Sequence, residues 1–180
     1  MNIWHDIDEK RINPNEFVAV IEIAKGTKKK YELDKETGMI ILDRLLHTST
    51  HYPANYGFIP KTLAKDGDPL DVLVLCSESL DPLVLVKCYP IAVVQMTDCG
   101  KEDEKIIAIP FGDPVYNGYE RVEELPKFIM EELVHFLRVY KDLEEGKVTQ
   151  VGEIRSNEEA NKVIMECKER YNQKFGKKSN

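Results

Sequence analysis

The chain lacks most of what marks a membrane, secreted or nucleic-acid-binding protein. Its longest apolar runs are five to seven residues, as in Pro82–Val86, far short of the ~20 that span a bilayer as a helix. Met1–Asp6 has neither a basic n-region nor an apolar h-region, so no signal peptide is expected and the default compartment is the cytoplasm. Positive charge is in deficit. Against 32 Asp and Glu stand 25 Lys and Arg, and the net charge of −7 argues against a general binder of nucleic acid or of membrane surfaces. It does not exclude an anionic ligand held through a metal. Cysteine is scarce, with four residues at 76, 88, 99 and 167, no CxxC pair and no zinc-finger spacing. Free cytosolic thiols, mostly in the core, are expected. There is no P-loop, HExxH, GxSxG elbow or dinucleotide fingerprint, which removes Walker-type NTPases, zincins, α/β-hydrolases and Rossmann enzymes. No internal repeat or low-complexity tract is present.

What is present is a folded composition. With 180 residues, 42% hydrophobic and 32% charged, the chain is expected to form one domain over 1–180 without a disulfide or structural metal. Residues 16–24 are rich in β-branched side chains and predict a strand. Lys25-Gly26-Thr27 turns into a second strand at 28–33, so a hairpin between the two is expected. A third strand is expected over 39–46, followed by an ordered irregular stretch with short strands at 47–65. Further strands are predicted at 70–76, 83–96 and 105–110. The period then changes. Leu125, Phe128, Ile129, Leu133, Phe136, Leu137 and Tyr140 fit a helix from about 125 that stops near Gly146. A second helix, 156–173, starts on a Ser156/Glu159 capping box, and the basic tail from Lys174 to Asn180 is expected to fray. Strands first and helices after them make the fold class α+β, mainly β. A small barrel or strongly curled sheet over about 15–111 is expected, with both helices on one side of it.

The segment Asp66-Gly67-Asp68-Pro69-Leu70-Asp71 concentrates the chemistry. Three carboxylates within six residues repel one another unless a positive charge sits among them. On the residues alone the segment is either a solvated turn or a site for a hard divalent cation such as Mg2+, Mn2+ or Ca2+. It fails the EF-hand template. A second acidic loop, Asp98–Glu104, also lies between β-like runs, and two such loops can face each other as a multi-metal site requires. Glu22, Lys30, Glu32 and Arg44 interrupt apolar strands. They are either surface charges or part of a polar lining inside the barrel. Carboxylates, cations and tyrosines in such numbers suit phosphoryl chemistry.

These residues resemble the soluble family I inorganic pyrophosphatases. The likeness runs in order over about 15–145. It takes in Val20–Ile23, Lys30–Lys35, Asp43-Arg44, Tyr52–Gly57, Asp66–Val72, Met96–Asp98, Asp103–Lys105 and Tyr140–Leu143. The resemblance implies a five-stranded OB-like barrel with two C-terminal helices packed against it, and Mg2+-dependent hydrolysis of pyrophosphate, with Mn2+ as a possible substitute. It makes Asp66, Asp71 and Asp103 ligands of the tightest metal, with Asp98, Asp103 and Glu32 serving further metals. Asp68 becomes the general base. Lys30, Arg44, Tyr56, Tyr140 and Lys141 hold phosphate oxygens, Lys105 tunes the carboxylates, and Glu22 and Tyr52 support from behind. It implies a homo-oligomer, with a hexamer favoured over a dimer or monomer and His135 at a candidate contact. His47, His51 and His135 are expected to be structural or on the surface. Cys99 departs from the pattern, standing after Asp98 where an acidic or amide side chain is common.

Overall fold

The computed structural model describes residues 1–176. Five strands close into a barrel. They are β2 (Glu16–Ile23), β5 (Asn55–Ile59), β6 (Leu70–Val74), β7 (Leu85–Asp98) and β9 (Lys105–Pro110). The order β2-β5-β6-β9-β7 returns to β2 through the β2–β7 pairing, and only β6–β9 is parallel. Closure needs a strand that bends and pairs with different neighbours along its length. The 14-residue β7 does this, pairing Leu85–Cys88 with Val20–Phe17 and Cys88–Val94 with β9 through a register shift at Pro90/Ala92. Short β1 (Ile12–Asn13) extends β2; β8 (Lys101–Glu102) and β10 (Thr149–Arg155) pair with β7. At Gly57 a Cβ would lie 1.8 Å from the Val20 carbonyl oxygen, so only glycine lets β5 approach β2 there.

β3 (Lys29–Leu33) and β4 (Ile40–Leu45) pair only with each other, in a separate two-stranded sheet. The hairpin expected between 16–24 and 28–33 is therefore not formed. Both edges of β2 are already taken: Val20–Ile23 pair with β5, and Ile21 exchanges bonds with Leu83 and Val84 on the other side. No edge is left for β3. For the same reason Lys30, Glu32 and Arg44 do not line the barrel interior.

The helices α1 (Lys127–Val139) and α2 (Asn157–Phe175) pack into two separate core clusters, not into one on a single side of the barrel. β9 shows why, because it is buried throughout. Its Ile107 and Ile109 join Leu133, Phe136 and Leu137 of α1, while Ile106 and Ala108 join Ala160, Ile164 and Cys167 of α2. A two-residue period buried on both faces needs a cover on each. α1 ends at Val139, well before Gly146, and residues 140–146 turn back towards β10. Helix propensity there yields to the burial of Tyr140 and Lys141 against the barrel. α2 begins on the expected cap, with the Glu159 N–H donating to Ser156 Oγ. It runs through Lys174 to Phe175, so the tail does not fray where expected; residues 177–180 of that tail lie outside the described residues. Cys76, Cys88 and Cys167 are buried free thiols, and Cys99 is exposed.

Candidate active site

Between the mouth of the barrel and the β3–β4 hairpin lies a cleft of about 760 Å3. Ten carboxylate and six cationic side chains line it, an excess of negative charge that an anionic ligand meets only with added cations. Every residue assigned a role from the sequence lines this cleft except Tyr52. Tyr52 is buried behind it, 5.5 Å ring to ring from Tyr56 and 4.8 Å from Phe136.

The floor is built on the barrel. Parallel pairing sets Asp71 of β6 opposite Lys105 of β9. The Lys105 ammonium, fully buried, donates to Asp71 Oδ2 at 2.7 Å, to both oxygens of Asp103 at 3.1 Å and to the Tyr56 hydroxyl at 2.9 Å. Burial disfavours its charge, but Asp71 and the other acidic neighbours outweigh that and hold the pKa well above the lysine range. Burial followed by the Asp71 charge raises Glu22 well above the carboxylate range, so this buried group favours its neutral form. Burial and then carboxylate neighbours raise Asp66, and burial raises Asp103 against the pull of Lys105. At the end of β7, Asp98 accepts from Lys141 Nζ at 2.7 Å. Burial pushes Asp98 up, yet Lys141 prevails and keeps it below the usual range.

The rim is built on loops and the hairpin. The Asp68 N–H donates to Asp66 Oδ1 at 2.9 Å, which turns the chain tightly enough for both carboxylates to enter the cleft. Lys35, after β3, pairs with Asp68. Lys30 lies opposite Arg44 in the hairpin register, and both reach Asp43, Lys30 at 3.0 Å. Arg44 also meets Glu144, with Nη2 3.2 Å from Oε2.

The sequence model of the inorganic pyrophosphatase family matches residues 19–172. The chain belongs to this family. It is 44% identical over 172 residues to a soluble inorganic pyrophosphatase of Chlamydomonas reinhardtii, covering 96% of this chain and 89% of that protein. Among solved structures it resembles the inorganic pyrophosphatase from Thermus thermophilus. The TM-score is 0.89 at 36% identity, with 95% and 99% of the two chains covered. The Helicobacter pylori enzyme gives 0.86 at 39% identity, covering 89% and 95%.

Against that family background, the two acidic loops face each other only in part. Asp98 and Asp103 join the cleft, whereas Glu102 pairs with Lys65 outside it. Sequence reasoning missed Glu144, whose side chain is only 5% exposed, and gave no role to Asp43, Lys35 or Lys147, which line the cleft. The adjacent Asp43-Arg44 pair within a strand was the one available signal for Asp43. His47, His51 and His135 are exposed and lie outside the cleft.

Among the described residues, no three His, Cys, Asp or Glu side chains already converge on a single point, because Lys105 stands between Asp71 and Asp103. The donor chemistry nonetheless fits a hard divalent cation. The candidates are all carboxylates, Asp66 is raised partly by its acidic neighbours, and Asp98 Oδ1 is buried with no hydrogen-bond partner. No described helix is long and apolar enough to cross a membrane.

Proposed function

We propose that this chain hydrolyses inorganic pyrophosphate to two phosphates with Mg2+ as cofactor, Mn2+ being a substitute. The observation that carries the reading is the cleft of a pyrophosphatase-family chain with carboxylates on the barrel side and Lys30, Arg44 and Lys141 around them. Asp66, Asp71 and Asp103 would hold the tightest ion, and Asp98 and Glu32 would serve further ions with Asp103. Bound Mg2+ supplies positive charge to the phosphate oxygens and acidifies water.

The chain's own residues do the rest. Asp68, half-exposed and fixed through its backbone to Asp66, takes the proton of the attacking water at its carboxylate. The water oxygen bonds to one phosphorus as the bridging P–O bond breaks. Lys30 and Arg44, now sharing Asp43, exchange that carboxylate for phosphate oxygens. Lys141, Tyr56 and Tyr140 hold the remaining oxygens and take up the charge that develops on the leaving phosphate. Lys105 fixes Asp71 and Asp103, while Glu22 and Tyr52 pack behind them.

We further propose that residues 1–180 act as one domain, in the cytoplasm, and as a homo-oligomer. A hexamer comes before a dimer or monomer, with exposed His135 of α1 at a contact; native mass measurement tests this. The main test is phosphate release from pyrophosphate with Mg2+ and with Mn2+. Controls are a chelator, ATP as alternative substrate, and Asp68→Asn. Fast release from pyrophosphate, lost with chelator and in Asp68→Asn and slow with ATP, is expected. No release by folded protein with either metal overturns the reading.

A further inference from the structure

The family match begins at residue 19, yet residues 2–4 touch both walls of the cleft. One wall, the β3–β4 hairpin, carries Lys30 and Glu32 and shares no ladder with the barrel. The other, the loop from Ile59 to Leu70, carries Asp66 and Asp68. Backbone pairing therefore does not fix the spacing between them.

The loop is closed at its base by Thr62, which is fully buried. Its hydroxyl donates to the Ile59 carbonyl at 2.5 Å and accepts from the Leu70 N–H at 2.9 Å. The Trp4 indole N–H donates to the Thr62 carbonyl at 2.8 Å, and the Lys61 N–H donates to the Trp4 carbonyl at 3.1 Å. Trp4 is thus bonded to the base of the aspartate loop from two sides. On the hairpin side, the Ile3 N–H donates to the Gly38 carbonyl at 3.5 Å. Gly38 has φ +74, and a Cβ there would lie 2.8 Å from Asn2 Cα. Leu33, the last residue of β3, packs with Ile3 against the cluster that contains Trp4. The strap is bonded within itself: Asn2 Oδ1 accepts from the N–H groups of Trp4 and His5, and the Asp6 N–H returns to the Asn2 carbonyl at 2.8 Å.

We propose that Asn2–Trp4 is a positioning strap that sets the distance between the hairpin and the aspartate loop, and so the alignment of Lys30 and Glu32 with Asp66 and Asp68. This rests on the pyrophosphatase reading, since it assigns the strap a role in that same site. Sub-ångström to ångström errors in placing substrate against a base have large kinetic effects.

The test uses the full chain and steady-state hydrolysis of pyrophosphate with Mg2+. Gly38→Ala pushes the hairpin from Asn2. Trp4→Phe keeps an aromatic ring but removes the bond to Thr62. Ile164→Val, in α2 and away from the strap, is the stability control. Gly38→Ala is expected to raise KM about tenfold, with kcat/KM falling further than kcat. Trp4→Phe is expected to shift KM in the same direction by a smaller factor. Ile164→Val is expected to lower the thermal midpoint with KM unchanged. If Gly38→Ala does not fold, Trp4→Phe decides. Wild-type turnover together with unchanged KM and kcat in the folded strap variants removes the strap and leaves the activity standing. No wild-type turnover removes the reading beneath it.

Discussion

The floor and the rim of the cleft carry the same kinds of side chain under different constraints. In the floor, Lys105 is 2% exposed and Asp103 13%, and they are locked into one hydrogen-bonded group with Asp71 and Tyr56. On the rim, Asp68 and Lys35 are each about half exposed and form a single pair. Breaking a buried charge pair costs about 3–5 kcal/mol, because the remaining charge is left uncompensated. An exposed pair contributes about 0–1 kcal/mol. The floor is therefore part of what holds the fold together, while the exposed Asp68–Lys35 pair of the rim contributes little to it and, on the proposed function, trades its partners for substrate. The structure thus separates a buried, mutually bonded charge group from exposed pairs whose contacts are open to exchange.

Two substitutions sharpen that separation. Asp68→Asn on the rim removes the proposed base and nothing buried. A loss of about 10²–10⁴ in kcat is expected, with the urea midpoint unchanged. Steady-state kinetics beside equilibrium unfolding checks both halves, and a large stability loss would merge rim with floor. Lys105→Met is the counterpart. It leaves Asp71 and Asp103 facing each other without a cation, and a stability loss of about 3–5 kcal/mol is expected from urea unfolding without metal. Unfolding of Lys105→Met at the wild-type midpoint would mean that the floor is held by packing alone.

Cys99→Ser tests the rim at a smaller scale. Cys99 is exposed, adopts φ 49 and follows Asp98. Asp98 already has Lys141 as its partner, so activity is expected to fall less than about tenfold, equivalent to about 1.4 kcal/mol of barrier. A larger fall would make the thiol part of the outer ligand shell.

The barrel strands could be read from the sequence wherever short apolar runs are rich in β-branched residues, as in β9, whose length and isoleucines mark it as a strand buried on both faces. α2 was equally legible through its cap and its face of Ala160, Ile164, Cys167 and Tyr171. β10 was not, because most of Thr149–Arg155 is exposed and Gly152 interrupts it. The false hairpin arose from a true turn at Gly26, φ 83, whose flanking strands separate because β2 has no free edge. That is a tertiary fact no local pattern contains. In the site, three aspartates in six residues announce themselves, and the structure places them in one cleft. Glu144 does not, because its meaning lies in an arginine 100 residues away, and one glutamate in a charged turn carries no signal. The strap is hidden for the same reason: Trp4 acts on Thr62, 58 residues on.

The smallest expected effect lies furthest from both floor and rim. His5 stacks on Trp4 with ring centroids 4.5 Å apart, and its Nδ1 is 2.6 Å from the Tyr171 hydroxyl. Burial and then the Lys61 charge lower its pKa, against a pull upward from Asp6. The folded strap therefore prefers neutral imidazole. Its contribution to stability is complete above the ordinary imidazole value of about 6.5 and is lost as the pH falls through the lowered folded value. Trp4 is the sole tryptophan, so its emission reports the strap directly. A reversible emission change on acidification below about pH 6.5, absent in His5→Asn, is expected, with a small drop in thermal midpoint over the same range. Burial also raises Asp66 and Asp103 in the cleft, so the informative quantity is the difference between wild type and His5→Asn. Identical profiles would mean that His5 is a passive ring in the stack, and that the strap is held against the cleft independently of pH.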